Sequence, residues 1–521
     1  MSKLGRQDGY LSVNPTPPNQ NKPLKNSRLR QESQDDNDTT ALFQHSPESN
    51  KLEREYEAGC LPDEVYDRTL PGWRAGLRRF LTRCLKVESE YLAGMQHRIR
   101  GHFLDRYFYW TALFGTHTFF MAALPMFFWF GDDFHARGLL IVTGLGIWLS
   151  SVAKDLACCP RPYSPPVIRL SMSTHGLEYG FPSSHSANSV SAALFLGTWL
   201  TLRFTSGEID AQTLVIGRFA LAVYALSVIL GRLYCGMHSL IDCSAGALIG
   251  WFSWFVWDRL QAPFEAWLVQ SDWRAPLAAV ILCGFLVHYH PEPVDDCPCF
   301  EDSIAILSAM LGSTLSHWYD SHYRPHFKHG FQAGFTPFGL TGPANVVAQT
   351  VFGAGKLVIG ISALFLWRMV MKRLLHFILP IIFRATSQIF HFALPTRRHY
   401  QAATDYDKVP TPYTLNPLPS FVDLPSQASL TTALPPSLQL HKRSRQASHE
   451  SFSSVASSAS QQSIESARPP RKRAETEKKH YDVDVLTKVF VYAGIPIMAI
   501  DPVRVVFVLL ENLIGKPSSG L

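Results

Sequence analysis

The sequence predicts an all-α fold, a polytopic transmembrane helical bundle of about 8–10 spans carrying disordered polar tails. Three observations lead there. Only 17% of the 521 residues are charged, while 12% are aromatic, with 12 Trp and 34 Phe. The near-zero mean hydropathy averages polar ends against a strongly apolar middle. That middle is a rapid succession of apolar runs, many near the ~20 residues needed to cross a hydrocarbon core as a helix. Trp110, Trp129, Trp251, Trp254, Trp257 and Trp318 sit near the proposed span ends, as in an aromatic belt.

Taken in order, residues 1–70 read as a disordered tail, rich in Asn, Gln, Asp, Ser and Pro. No cleavable signal peptide is expected, because residues 1–50 hold no apolar core. Residues 71–100 form a basic amphipathic segment in which Arg74, Arg78, Arg79, Arg83 and Lys86 interleave with Trp73, Leu77, Phe80, Leu81 and Leu85. Such a helix lies on a membrane surface or docks on the protein's own polar face. The membrane domain is expected at 101–395, with spans near 107–131, 138–157, 187–204, 214–230, 239–257, 275–290, 303–318 and 350–367. A further run at 374–394 contains Pro380 and Arg384 and reads as interfacial. Residues 396–482 are a Ser/Pro-rich linker, and 483–521 a last apolar membrane segment interrupted by Pro496, Asp501, Pro502 and Arg504. The net charge of +6 is carried in the tails and beside apolar runs, which favours anionic headgroups over nucleic acid. The nine cysteines show no zinc-type pair of pairs, and Cys297–Cys299 would close only a tight loop.

The chemistry is concentrated in three stretches: Lys154 to Pro162, Pro182-Ser183-Ser184-His185, and Arg232 to Asp242. His238 and Asp242 are four apart, so on a helix the carboxylate can reach the imidazole, fix its tautomer and strengthen it as a nucleophile. Lys154, Arg161 and Arg232 can neutralise a phosphate dianion and the charge spread over its oxygens during transfer. Pro160 and Pro162 stop the helix carrying Lys154 and leave Arg161 to turn inward. Ser183 and Ser184 open the next helix, where they cap it or lend hydroxyls to phosphate. His185 suits a general acid that protonates a departing alkoxide and then serves as base for water. Polar groups at this density beside lipid-facing helices are costly, which argues for function. Asp105, Arg106 and Arg137 are expected to snorkel to headgroups instead.

The pattern Lys-x6-Arg-Pro, Pro-Ser-x-His, Arg-x5-His-x3-Asp resembles that of the type 2 phosphatidic acid phosphatase superfamily, which includes the lipid phosphate phosphatases. The resemblance implies that His238 is the nucleophile forming a phosphohistidine, Asp242 its partner and His185 the acid/base. It also implies that Lys154, Arg161, Ser183 and Arg232 hold phosphate, without metal or cofactor. Two departures stand out: Ser184 stands where the superfamily usually has Gly, and Gly231 where it usually has Ser. The segments 180–186 and 295–302 resemble the sphingoid-base-phosphate phosphatase branch, especially its fungal members. That narrower likeness covers roughly residues 70–395. It implies dephosphorylation of dihydrosphingosine 1-phosphate and phytosphingosine 1-phosphate in the endoplasmic reticulum membrane, at a lumenal active face.

Counting crossings brings Asp295, Asp296, Glu301 and Asp302 to the face that carries the three motifs, where they are candidates for pairing with a substrate ammonium. A second cluster, His322, His326 and His329 with Arg324 and Lys328, falls on the opposite face and reads as a headgroup-contacting loop. The positive-inside pattern at 74–106 puts the N-terminus in the cytosol, at odds with the lumenal face that the resemblance implies. Rival readings are a broader phosphatidic acid phosphatase or phosphotransferase, and a non-catalytic lipid-phosphate binder or transporter. The substrate is expected to be a membrane lipid, with coupling to ceramide-synthesising enzymes left open.

Overall fold

The computed structural model describes residues 57–115, 117–170, 178–324, 342–391, 396–404 and 480–514. Its described part is helical throughout, apart from a two-residue parallel pairing of β1 (Tyr400–Gln401) with β2 (His480–Tyr481). In chain order the helices are α1 (Asp63–Thr69), α2 (Gly72–Ile99), α3 (His102–Thr111), α4 (His117–Phe130), α5 (Asp133–Ala157) and α6 (Ser184–Thr205). There follow α7 (Ala211–Tyr234), α8 (Leu240–Gln270), α9 (Arg274–His288), α10 (Cys299–Tyr323) and α11 (Pro343–Phe390). The last described helices are α12 (Asp482–Ile500) and α13 (Pro502–Ile514).

Among the described residues, five helical segments are long and apolar enough to cross a membrane: α5, α7, α8, α11 and the α12–α13 run. The protein is therefore a multi-pass helical membrane protein. The most apolar part of α5 is 72% buried, whereas those of α7 and α11 are 11% buried. α5 is thus the central helix, and α7 and α11 turn their apolar side chains outward to lipid. α6 packs against α5, α7 and α8, and α10 against α5 and α12, so these two more polar helices are lined by other helices.

Hydrocarbon offers no hydrophobic drive between helices, so close packing must hold them together. Gly246 and Gly250 of α8 supply it against α6. A Cβ at Gly246 would stand 2.2 Å from the Ser183 carbonyl oxygen, and one at Gly250 2.3 Å from that of Ala187. Gly312 of α10 meets the Ala493 carbonyl of α12 in the same way, at 2.0 Å. Several charges inside the bundle are paired. Arg137 donates to both Glu265 oxygens at 3.1 and 2.9 Å, and Lys356 pairs with Glu511. Arg137 therefore does not snorkel, because the buried Glu265 carboxylate on the neighbouring α8 satisfies it. Asp105 likewise accepts from the Tyr234 hydroxyl at 2.7 Å.

Three expectations change in detail. The run at 107–131 is split into α3, a 3-10 turn (Ala112–Gly115) and α4, not one straight span. The runs at 350–367 and 374–394 join in the single 48-residue α11, which passes through Pro380 unbroken. In α2, the stripe Ala75, Arg78, Leu81, Leu85 and Leu92 faces the protein, while Trp73, Phe80 and Tyr91 face outward. Arg74 donates to the carbonyls of Asp155 (2.6 Å) and Leu156 (3.0 Å), and Arg78 to those of Cys158 (3.2 Å) and Gly59 (2.9 Å). These two cations latch α2 onto the end of α5, because the last helical carbonyls need donors.

Candidate active site

α5 ends at Ala157, with Cys158 in the left-handed region, and releases the chain ahead of Pro160 as its prolines require. Ser183 caps α6 by accepting from the Ser186 backbone at 3.3 Å, and its own N–H donates to the Asp242 carbonyl at 3.0 Å. That bond ties the start of α6 to the start of α8. Between α7 and α8, Gly236 takes a φ of +63° in the turn that presents His238. The three motifs therefore meet at one end of the bundle.

The buried His238 ring is held at both nitrogens. Its Nδ1–H donates to the Gly180 carbonyl at 2.9 Å, which leaves Nε2 as the lone-pair nitrogen, 3.4 Å from an Arg161 guanidinium nitrogen. Asp242 Oδ2 lies 3.8 Å from Nδ1. That oxygen accepts instead from Ser239 N at 2.8 Å, while Ser239 Oγ accepts from Asp242 N at 3.2 Å, a reciprocal capping box. The tautomer is thus set mainly by a backbone carbonyl, with the carboxylate one step further off. Burial, followed by the fields of Arg161, Arg232 and Lys154, holds the His238 pKa well below its usual 6.5. The ring is therefore neutral, with the Nε2 lone pair turned toward Arg161.

Lys154, Arg161 and Arg232 are 2%, 5% and 4% exposed, too deep for solvated charges. Arg232 Nε has no hydrogen-bond partner among the described residues. Lys154 donates to Ser184 Oγ at 3.3 Å, so the hydroxyl that replaces the usual glycine joins the cation cluster. Burial lowers the Arg161 pKa, opposed by Glu178. His185, in the first turn of α6, is half-buried with its ring against Gly115 of the 3-10 turn.

Glu178 is a site residue that the motif reading missed. Its carboxylate bridges Lys154 and Arg161, the latter at 2.7 Å, and its backbone carbonyl accepts from Arg161 Nε at 3.1 Å. Its position beside the Gly180-Phe181-Pro182 segment was the available signal. A second unforeseen pair lies behind Lys154: His290 Nε2 and Asp155 Oδ2, 2.9 Å apart with both side chains 0% exposed. Burial, then Arg397, pushes His290 down to about 3, so it is neutral.

The four loop acids come to the same end of the bundle but have protein partners. Asp295 Oδ2 accepts from Tyr66 (2.7 Å), Tyr179 (2.8 Å) and Gly59 N (3.0 Å). Asp296 meets His480 at 2.8 Å, Glu301 pairs with Lys488, and Asp302 sits in the first turn of α10. Asp155, Cys297 and Cys299 form the one potential metal-ligand group among the described residues, and its two sulfurs are joined as a disulfide. At the opposite end, His322 is exposed, while His326, Lys328 and His329 lie outside the described residues.

Residues 135–264, which contain all three motifs, match the PAP2 superfamily. A dihydrosphingosine 1-phosphate phosphatase of Schizosaccharomyces pombe is 31% identical over 60% of this chain and 72% of its own length. The chain belongs to the PAP2 superfamily. It is also similar to a dihydrosphingosine 1-phosphate phosphatase of Saccharomyces cerevisiae, 34% identical over 51% of this chain and 66% of that one. Mouse sphingosine-1-phosphate phosphatase 2 is 29% identical over 57% of this chain and 80% of its own. No solved structure matches the chain. In this PAP2 protein Lys154, Arg161 and Arg232 are buried cations whose fields act on a neutral His238.

Proposed function

We propose that this PAP2 phosphatase hydrolyses sphingoid-base 1-phosphates, dihydrosphingosine 1-phosphate and phytosphingosine 1-phosphate, to the free bases and phosphate. The observation that carries the mechanism is the pairing of a neutral, oriented imidazole with three buried cations, of which Arg232 Nε lacks a protein partner among the described residues. His238 Nε2 attacks phosphorus, the P–O bond to the lipid breaks, and His185 gives its proton to the leaving alkoxide. Lys154, Arg161 and Arg232 stabilise the charge that spreads over the phosphoryl oxygens, helped by the Ser184 hydroxyl and the amide-rich start of α6. Once charged, the His238 ring is held by the Gly180 carbonyl and the nearby Asp242 carboxylate. His185 then takes a proton from water, whose oxygen attacks phosphorus and breaks the P–N bond, releasing phosphate and restoring His238. The substrate class rests on the names of the relatives.

The protein is read as resident in the endoplasmic reticulum membrane with its site facing the lumen, where freed bases become available to ceramide-synthesising enzymes. Because α2 docks on the motif loops, α2 and the site share one side. Glycosylation at Asn37, in the sequence Asn37-Asp38-Thr39, is the expected sign of a lumenal site.

The deciding experiment is phosphate release by the purified protein in chelator, from sphingoid-base phosphates and from phosphatidic acid, for wild type and His238→Ala. Trapped 32P on wild type and none on His238→Ala is expected. Turnover that survives His238→Ala defeats the mechanism, and a preference for phosphatidic acid defeats the substrate assignment.

A further inference from the structure

The Glu178 carboxylate occupies the place that a phosphate needs. One oxygen meets Lys154 Nζ, and the other meets Arg161 at 2.7 Å. The same Arg161 guanidinium lies 3.4 Å from His238 Nε2. A phosphoryl group within reach of Nε2 and paired with both cations must therefore displace this carboxylate. Its backbone is anchored at Glu178 and at the two residues after it: Arg161 Nε holds the Glu178 carbonyl at 3.1 Å, the Tyr179 hydroxyl donates to Asp295 at 2.8 Å, and Gly180 N donates to the Cys159 carbonyl at 2.9 Å. The side chain can rotate out while its main chain stays, which leaves the carboxylate beside the bound phosphate.

A sphingoid-base 1-phosphate carries its ammonium on the carbon next to the one that bears the phosphate ester. We infer that Glu178 is a placeholder anion for the empty cradle and, once displaced by the substrate phosphate, the partner of the substrate ammonium. This rests on the phosphatase reading and narrows it to one specificity-determining residue. The loop acids are worse placed for that role. Asp295 Oδ2 already accepts from three donors, and Asp296 and Glu301 pair with His480 and Lys488. The placeholder also accounts for how two of the three cations remain buried between turnovers, since an uncompensated buried charge is costly. Substrate then exchanges one anion for another at Lys154 and Arg161, and the released carboxylate finds a cation at once.

The test compares full-length wild type with Glu178→Gln in detergent. Its two readouts are the orthovanadate inhibition constant and the ratio of kcat/KM for dihydrosphingosine 1-phosphate over a long-chain alkyl phosphate lacking the amine. In Glu178→Gln the inhibition constant should fall about 5-fold or more, because vanadate no longer competes with a carboxylate, and the amine preference should fall by a similar factor. An unchanged or higher inhibition constant overturns the placeholder, and an unchanged preference overturns the ammonium contact. Glu178→Asp keeps the charge but is too short to bridge both cations, so it should also tighten vanadate binding. Should wild type release phosphate from neither substrate, the phosphatase reading is what fails. Calorimetric titration with orthophosphate then still reports on the placeholder, with tighter binding to Glu178→Gln expected and equal binding overturning it.

Discussion

His238 donates its Nδ1–H to the carbonyl of Gly180 at 2.9 Å, while Asp242, four residues later in the first turn of α8, stays 3.8 Å away capping that helix. This inverts the hierarchy expected from an i, i+4 His–Asp pair. The primary orienter of the ring is backbone, and the carboxylate supports it through the capping box and through its field. Asp242→Asn should therefore reduce kcat less than His238→Ala does, by at least about 10-fold. Steady-state kinetics on the two variants decides this, and equal losses would return Asp242 to the primary role.

Gly180 itself has no room for a side chain, since a Cβ would lie 2.5 Å from the Pro160 carbonyl oxygen. Gly180→Ala must push the carbonyl away from His238 or the Pro160–Arg161 backbone away from the cradle. We expect a loss of about 1–3 kcal/mol in stability, as for other overpacked sites, and a fall in kcat of about 100-fold. Thermal unfolding in detergent and initial rates measure the two effects. A fully active Gly180→Ala would show that the ring does not depend on this carbonyl.

Arg232 is a buried guanidinium whose Nε lacks a hydrogen-bond partner among the described residues. Replacing it with Met should raise the thermal midpoint of the phosphate-free protein, because about 1 kcal/mol or more of uncompensated desolvation is removed. The same change should cut kcat/KM by about 100-fold or more. Addition of orthovanadate should then stabilise wild type more than Arg232→Met. A variant less stable than wild type in the absence of anion contradicts the assignment.

His290 beside Asp155 gives a pH signature. Its folded pKa of about 3 lies below the usual 6.5, so between these values the unfolded chain binds the extra proton. Stability from this group is complete above about pH 6.5 and declines as pH falls toward about 3, with a slope of up to about 1.4 kcal/mol per pH unit. His290→Gln keeps a donor for Asp155 and removes the titration. Its unfolding midpoint should drop less than that of wild type between pH 7 and pH 5, and parallel curves would refute the point.

Much of this was legible in the sequence because the chemistry is carried by short motifs at helix ends. Lys154, Arg161, Ser183, Arg232 and His238 converge because prolines, an N-cap serine and a positive-φ glycine fix where their helices begin and stop. The helical membrane class followed from composition. What stayed hidden depends on contacts distant in sequence. Nothing local marks Glu178 as a partner of Lys154, 24 residues earlier, or His290 as the partner of Asp155, 135 residues earlier. The orientation of α2 was ambiguous for a related reason. A helix with basic residues on one side and aromatics on another suits a lipid surface, and only the open carbonyls at the end of α5 reveal that Arg74 and Arg78 point inward.

Among the described residues, α12 and α13 are tied to earlier helices through buried side chains. α12 lies against α10 and α11, with Trp367 and Trp129 donating to its Val491 and Ala499 carbonyls at 3.1 and 3.0 Å. Lys488, Asp484, Arg504 and Glu511 are its and α13's ionic ties to the earlier helices. While the ribosome completes residues 391–481, the groove that will receive α12 exposes half-ion-pairs and glycine backbone with nothing to answer them. The nascent protein must wait with an open seam, and whatever occupies that seam meanwhile, lipid or chaperone, has to leave before the bundle can close.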